Sequence, residues 1–120
     1  MTEIKNSKRY DLEERTLKFA KEVIKFVKSL PKTIANIEII KQLVRSSGSV
    51  GANYIEANEA LSKKDFIMRV KICRKEAKES RYWLKLIEVN GEDAEKQRQL
   101  LIQEATELMK IFGAILEKTK

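Results

Sequence analysis

Histidine is absent from this 120-residue chain. That absence removes Ser-His and Cys-His nucleophile systems and histidine metal sites. It also removes the Glu-x-x-His pairs from which four-helix di-iron proteins build their metal centres. Cysteine occurs once, at Cys73. A lone cysteine forms no internal disulfide, and its place on an apolar stripe reads as a small core residue. One proline and four glycines are too few breakers for a disordered or all-β chain. No apolar run approaches the roughly 18 residues of a membrane span. The first ten residues, MTEIKNSKRY, hold no apolar signal core. The expectation is a cytoplasmic protein without a membrane role.

Helical periodicity fills what remains. Hydrophobic residues make up 42% of the chain and charged residues 36%, the mixture of a single helical bundle domain over 1–120. Four helices are predicted, over about 11–30, 36–61, 63–90 and 93–118. Asp11 is the predicted cap of the first, and Pro31 stops it. Thr33 or Asn36 caps the second. Ser62, with Asp65 three residues on, caps the third. Gly91 is the expected left-handed terminus of the third helix, and Asp93 starts the fourth.

Short connections make neighbouring helices antiparallel, so the fold class is all-α, an up-down four-helix bundle. Apolar residues recur at steps of three and four. One stripe runs Ile40, Leu43, Ser47, Val50, Tyr54, Ala57 and Leu61; another runs Phe66, Val70, Cys73, Ala77, Ser80, Leu84 and Ile87. Folding these two stripes together sets Arg45 against Glu79, Ser49 against Lys75, and Asn53 against the level of Lys71 and Ile72. Asn53 and Glu56 share a polar row beside the first of these stripes, facing the third helix or a neighbouring subunit, and are expected to be structural. Gly48 and Gly51 lie in a small-residue run, Ser46–Ala52, that reads as close approach by another backbone. The run lacks the lysine spacing and the preceding strand of a phosphate loop.

The net charge of +7 is unevenly spread. Residues 1–33 carry nine basic and five acidic groups, and residues 63–90 carry nine and four. The stretches 34–62 and 91–120 each hold one more acidic than basic group. Lys71, Arg74, Lys78, Arg81 and Lys85 share an arc of roughly 80°, as do Lys18, Lys21, Lys25 and Lys28. Such rows are candidate phosphate contacts for RNA or DNA, with Tyr82 placed to stack on a base. The plainer reading is a solvated face on a scaffold whose partner is another protein. Leu17, Ile24, Ile72, Trp83 and Leu86 widen the apolar arcs of the first and third helices beyond what a small bundle covers. They are the candidate subunit interface. Glu76 and Glu79 could act as an acid and a base, but carboxylates paired with Arg45 or Lys75 fit the pattern better. No constellation is complete. The chain is expected to be non-enzymatic, with no cofactor, metal or small-molecule substrate.

Three runs carry a resemblance: RSSGSVGANYIEA at 45–57, SKKDF at 62–66 and KEAKESRYWL at 75–84. Over about 12–120 the chain resembles the four-helix bundle proteins encoded by intervening sequences of bacterial 23S rRNA genes. Ala57 stands where that family often has glycine. The resemblance implies a left-handed up-down bundle assembling as a homopentameric ring. A related branch, the accessory proteins of diversity-generating retroelements, is basic and pentameric and binds nucleic acid and a reverse transcriptase. By that resemblance a reverse transcriptase is a candidate protein partner here. For the rRNA-associated branch the resemblance implies no established activity.

Overall fold

A computed structural model describes the backbone of residues 2–120 and the side chains of residues 11–120. Four helices follow one another: α1 (Thr2–Val27), α2 (Ile34–Asn58), α3 (Lys63–Leu86) and α4 (Glu92–Lys118). No strand occurs among the described residues. Each helix packs against its two neighbours in the cycle α1–α2–α3–α4–α1, which gives a square cross-section with α1 diagonal to α3.

Cross-helix contacts fix the directions. Glu13 meets Asn58 and Thr16 meets Gly51; Ser46 meets Ser80 and Asn53 meets Arg69; Arg81 meets Thr106 and Arg98 meets Ile87. In each pair of helices one residue number rises as the other falls, so successive helices are antiparallel, as expected.

The predicted stripes form the core. Phe19, Val23 and Phe26 of α1, Leu43 and Val50 of α2, Val70 and Leu84 of α3, and Leu108 and Phe112 of α4 are all but fully buried. Burying each such side chain contributes about 1.5–3 kcal/mol. Tyr54 and Phe112 pack ring to ring at 5.9 Å across the centre.

The helix ends depart from expectation in several places. α1 begins at Thr2, so Asp11 lies inside the helix rather than capping it, and α1 ends at Val27, short of Leu30. The Lys32 ammonium donates to the carbonyls of Val27 and Leu30 at 2.9 and 2.8 Å, satisfying groups the helix end leaves open. α2 ends at Asn58, three residues early. Leu61 therefore falls in the connection and is 98% exposed, not part of the core stripe. α3 ends at Leu86 instead of about 90. Gly91 has the expected positive φ, 96°, but it is the N-cap of α4 and not the terminus of α3. Glu92, Asp93 and Glu95 then fill the first turn of α4, where carboxylates suit the helix dipole.

Ser62 caps α3 as predicted, accepting from the Asp65 amide at 3.1 Å. Thr33 caps α2 by accepting from the Asn36 amide at 3.1 Å. That frees the Asn36 side chain for another task. Its Nδ2 donates to the Pro31 and Glu88 carbonyls at 3.0 and 2.9 Å, and its Oδ1 accepts from the Glu88 amide at 3.0 Å. One buried side chain thus ties the α1–α2 connection to the α3–α4 connection. Asn36→Ala is expected to leave three backbone groups without partners and to destabilise the fold by about 1–3 kcal/mol. A thermal melt equal to wild type would refute that role.

Candidate nucleic-acid interface

The motif residues gather mainly where α2 meets α3. Ser46 Oγ and Ser80 Oγ lie 2.8 Å apart in full burial. Ser80 Oγ donates back to the Glu76 carbonyl at 2.9 Å and Ser46 Oγ to the Leu43 carbonyl at 3.3 Å, so either hydroxyl can supply the bridging proton. This pair was not anticipated from the sequence. Its signal was available, since Ser80 lies on the stripe of the third helix and Ser46 in the row beside the facing stripe.

At the outer edge of the same seam Arg45 meets Glu79, as expected, with Nη2 3.3 Å from Oε1. The same nitrogen lies 3.4 Å from Glu76 Oε1. Glu76 is 5% exposed, and its Oε1 accepts no hydrogen bond among the described residues. Lys75 Nζ approaches the other oxygen of Glu76 at 3.8 Å. The two carboxylates are therefore held by cations, as the plainer reading had it. Asn53 is half-buried and structural in geometry. Its Nδ2 donates to the Ser49 carbonyl and Oγ at 2.9 Å each, and its Oδ1 accepts from Arg69 Nη1 at 3.0 Å. Its partner is thus Arg69, one turn from the Lys71–Ile72 level, and Ser49 serves Asn53 instead of facing Lys75. Glu56 is exposed and makes no side-chain hydrogen bond or ion pair among the described residues. Its expected structural role is not supported.

The close approach expected of the small-residue run occurs at Gly51 alone. A Cβ there would stand 2.9 Å from Thr16 Oγ1 and 3.3 Å from Thr16 Cβ, whereas at Gly48 it would meet nothing within 4 Å.

The two basic rows lie at opposite corners of the square. Lys71, Arg74, Lys78 and Lys85 are exposed on the α4 side of α3, and Arg81 is half-buried, with Nη1 3.4 Å from Thr106 Oγ1. None of the five forms an ion pair among the described residues. Alongside them α4 presents Gln99, Gln103, Thr106 and Lys110, with the Gln99 and Gln103 amides donating to Glu95 and Glu107 at 2.7 and 3.3 Å. The sequence reading did not include this strip, because only the α3–α4 register brings it beside the row. Tyr82 is 58% exposed and packs edge-on to Trp83 at 5.1 Å. Trp83 and Ile72 are half-buried, and the Trp83 indole N–H is buried without a hydrogen-bond partner.

Lys18, Lys21, Lys25 and Lys28 are exposed on α1 and also form no ion pair among the described residues. Their surroundings differ. Arg15 is bonded to Glu104 at 2.7 and 2.8 Å and to Glu107 at 2.8 Å. The Glu104 hydrogen bond leads the effects that raise the Arg15 pKa, with burial opposing. This joins α1 to α4 beside further carboxylates. Leu17, Ile24 and Leu86, three of the five predicted interface residues, are exposed.

Cys73 is fully buried, and burial pushes its thiol up to about 12. Among the described residues no group of three or more His, Cys, Asp or Glu is placed to hold a metal ion. No described helix is long and apolar enough to cross a membrane.

Two outcomes follow. Asn53→Ala is expected to lower the melting temperature, because Arg69 and Ser49 lose their shared partner; an unchanged melt and assembly state would refute it. Cys73 is expected to resist a water-soluble disulfide reagent at pH 8 in the native protein and to react on unfolding. Rapid native reaction would contradict the burial.

Comparison with known proteins places the fold. No curated protein matches the chain. A crystal structure from Bacteroides thetaiotaomicron VPI-5482, described as a protein with unknown function from the S23 ribosomal protein family, is 33% identical. The match covers 87% of this chain and 96% of that one, with a TM-score of 0.76. The profile of the 23S rRNA-intervening sequence protein family matches residues 8–114. With nearly the whole bundle matched, the chain belongs to the 23S rRNA-intervening sequence protein family.

Proposed function

We propose that this protein is a non-enzymatic, homo-oligomeric helical bundle that binds structured RNA or DNA through its α3–α4 face. The observation that carries the reading is the set of five cations on α3 without intramolecular carboxylate partners. Arg45, Lys75, Arg15 and Arg98 all have such partners. A cation already neutralised releases few counterions when a phosphate arrives, whereas an unpaired row is free to do so. Lys110 of α4 adds a further charge beside the row. The α1 row is the poorer phosphate site, because Asp11, Glu14, Glu22 and Glu104 flank it and repel a polyanion.

Contacts of this kind position a ligand and carry little sequence information. Affinity should fall with salt at a log–log slope of about −0.7 to −0.9 per phosphate neutralised. Arg74→Gln, Lys78→Gln and Arg81→Gln together should weaken binding to rRNA fragments and duplex DNA alike. They should also flatten the salt slope and leave the helical fold intact. Titrations at several salt concentrations check this. No binding by wild type near physiological salt, or equal binding by the variant, would sink the proposal and favour a scaffold for another protein.

A further inference from the structure

The cationic row of α3 borders an aromatic pair. Tyr82 is 58% exposed and meets Trp83 edge-on, with ring centroids 5.1 Å apart and the planes at 76°. An edge-on contact covers at most one broad face of the Tyr82 ring. Trp83 is half-buried, so the bundle holds the ring against which Tyr82 packs.

The surroundings of Tyr82 suit an anion that carries a flat apolar part. Lys78 lies four residues before it and Lys85 three residues after it, the intervals that set side chains beside one another on a helix. Both lysines are exposed and form no ion pair among the described residues. Glu79, the carboxylate nearest to Tyr82 in sequence, is held by Arg45 at 3.3 Å, so its charge is offset. Leu86, four residues beyond Tyr82, is 51% exposed and extends the apolar surface.

We infer that Tyr82 stacks on an unpaired base of the bound nucleic acid while Lys78 and Lys85 take the phosphates that flank this nucleotide. This rests on the nucleic-acid reading above and narrows its ligand to strands with unpaired nucleotides: single strands, loops and bulges. A base inside a duplex has both faces covered by its neighbours, so only an unstacked one can lie on the ring. Lys78 and Lys85 stand about 10 Å apart along the helix axis, on either side of Tyr82. Their flexible four-carbon stems let the ammonium groups close on one nucleotide. Every base has a π-face, so the ring adds affinity without choosing a sequence. The cations draw any polyanion, and the ring favours one with a base to offer.

Titration of wild type and Tyr82→Ala with a single-stranded RNA, and with the same strand paired to its complement, tests this at two or more salt concentrations. Tyr82→Ala should lose roughly 5- to 150-fold in affinity for the single strand, the worth of one base–aromatic stack, and change little on the duplex. Its salt slope should equal that of wild type, because no phosphate contact is removed. Tyr82→Phe should bind the single strand as wild type does, since the ring and not the hydroxyl makes the contact. Trp83 is the only tryptophan and lies beside the site. Its emission in the wild-type protein should respond to the single strand far more than to the duplex, which tests the contact should Tyr82→Ala fail to fold. Equal losses on both ligands, no loss on either, a loss shared by Tyr82→Phe, or equal emission changes would overturn the stacking contact. So would a changed oligomeric state of Tyr82→Ala, which would make the ring a subunit contact. In each of these cases binding by wild type leaves the α3–α4 reading standing. A wild type that binds neither ligand would overturn both.

Discussion

The distance at which α2 can approach its neighbours governs the rest of the structure. Against α3 the contact is a buried hydroxyl pair, Ser46 with Ser80, and the small buried residues Ala57 and Ala77 lie elsewhere on the two helices. Against α1 it is Gly51, where even one methyl group would press on Thr16. Thr16 can occupy that position because its hydroxyl donates to the Leu12 carbonyl of its own helix, 2.9 Å away. Small residues bring the backbones together, and polar ones at such a seam must then satisfy one another. Larger side chains, Phe19, Phe26 and Phe112 among them, fill the wider space at the bundle centre. The Asn36 bridge closes one end by joining the two connections that meet there.

With α2 committed to close packing on both sides, charge is sorted by face. The α2–α3 seam holds paired charges, Arg45 with Glu76 and Glu79. The α3–α4 face holds unpaired cations. The α1–α4 side is acidic and more open, and Arg15 spans it with two carboxylates. A uniform coat of mixed charge would serve solubility alone. Segregation onto separate faces gives each a distinct electrostatic character, cationic on the α3–α4 face and acidic on the α1–α4 side.

Much of this was legible in the sequence because helical periodicity is a local property. The core stripes, the Ser62 cap and the Arg45–Glu79 pair all follow from spacing and short connections. The departures occur where local signals compete. Leu61 fits the apolar period, yet α2 ends at Asn58 and leaves it in solvent. Gly91 provides a left-handed residue between α3 and α4, but spacing does not say which helix it serves. Glu56 sits in the right row and still finds no partner, because row membership fixes direction and not reach. Asn36 reads as a cap, and only the meeting of two loops distant in sequence turns it into a bridge.

The sequence by itself determined the helical class, the number of helices and which residues face inward. It also set the two basic rows, because those depend on intervals of three and four residues along one chain. Tertiary structure decided which surfaces those rows belong to. It put the α1 and α3 rows at opposite corners, set an amide-rich strip of α4 beside one and carboxylates beside the other, and brought Thr16 against Gly51. Charge and contact across a bundle depend on the register of separate helices. That register is fixed by side-chain packing between segments far apart in sequence, which no local interval encodes.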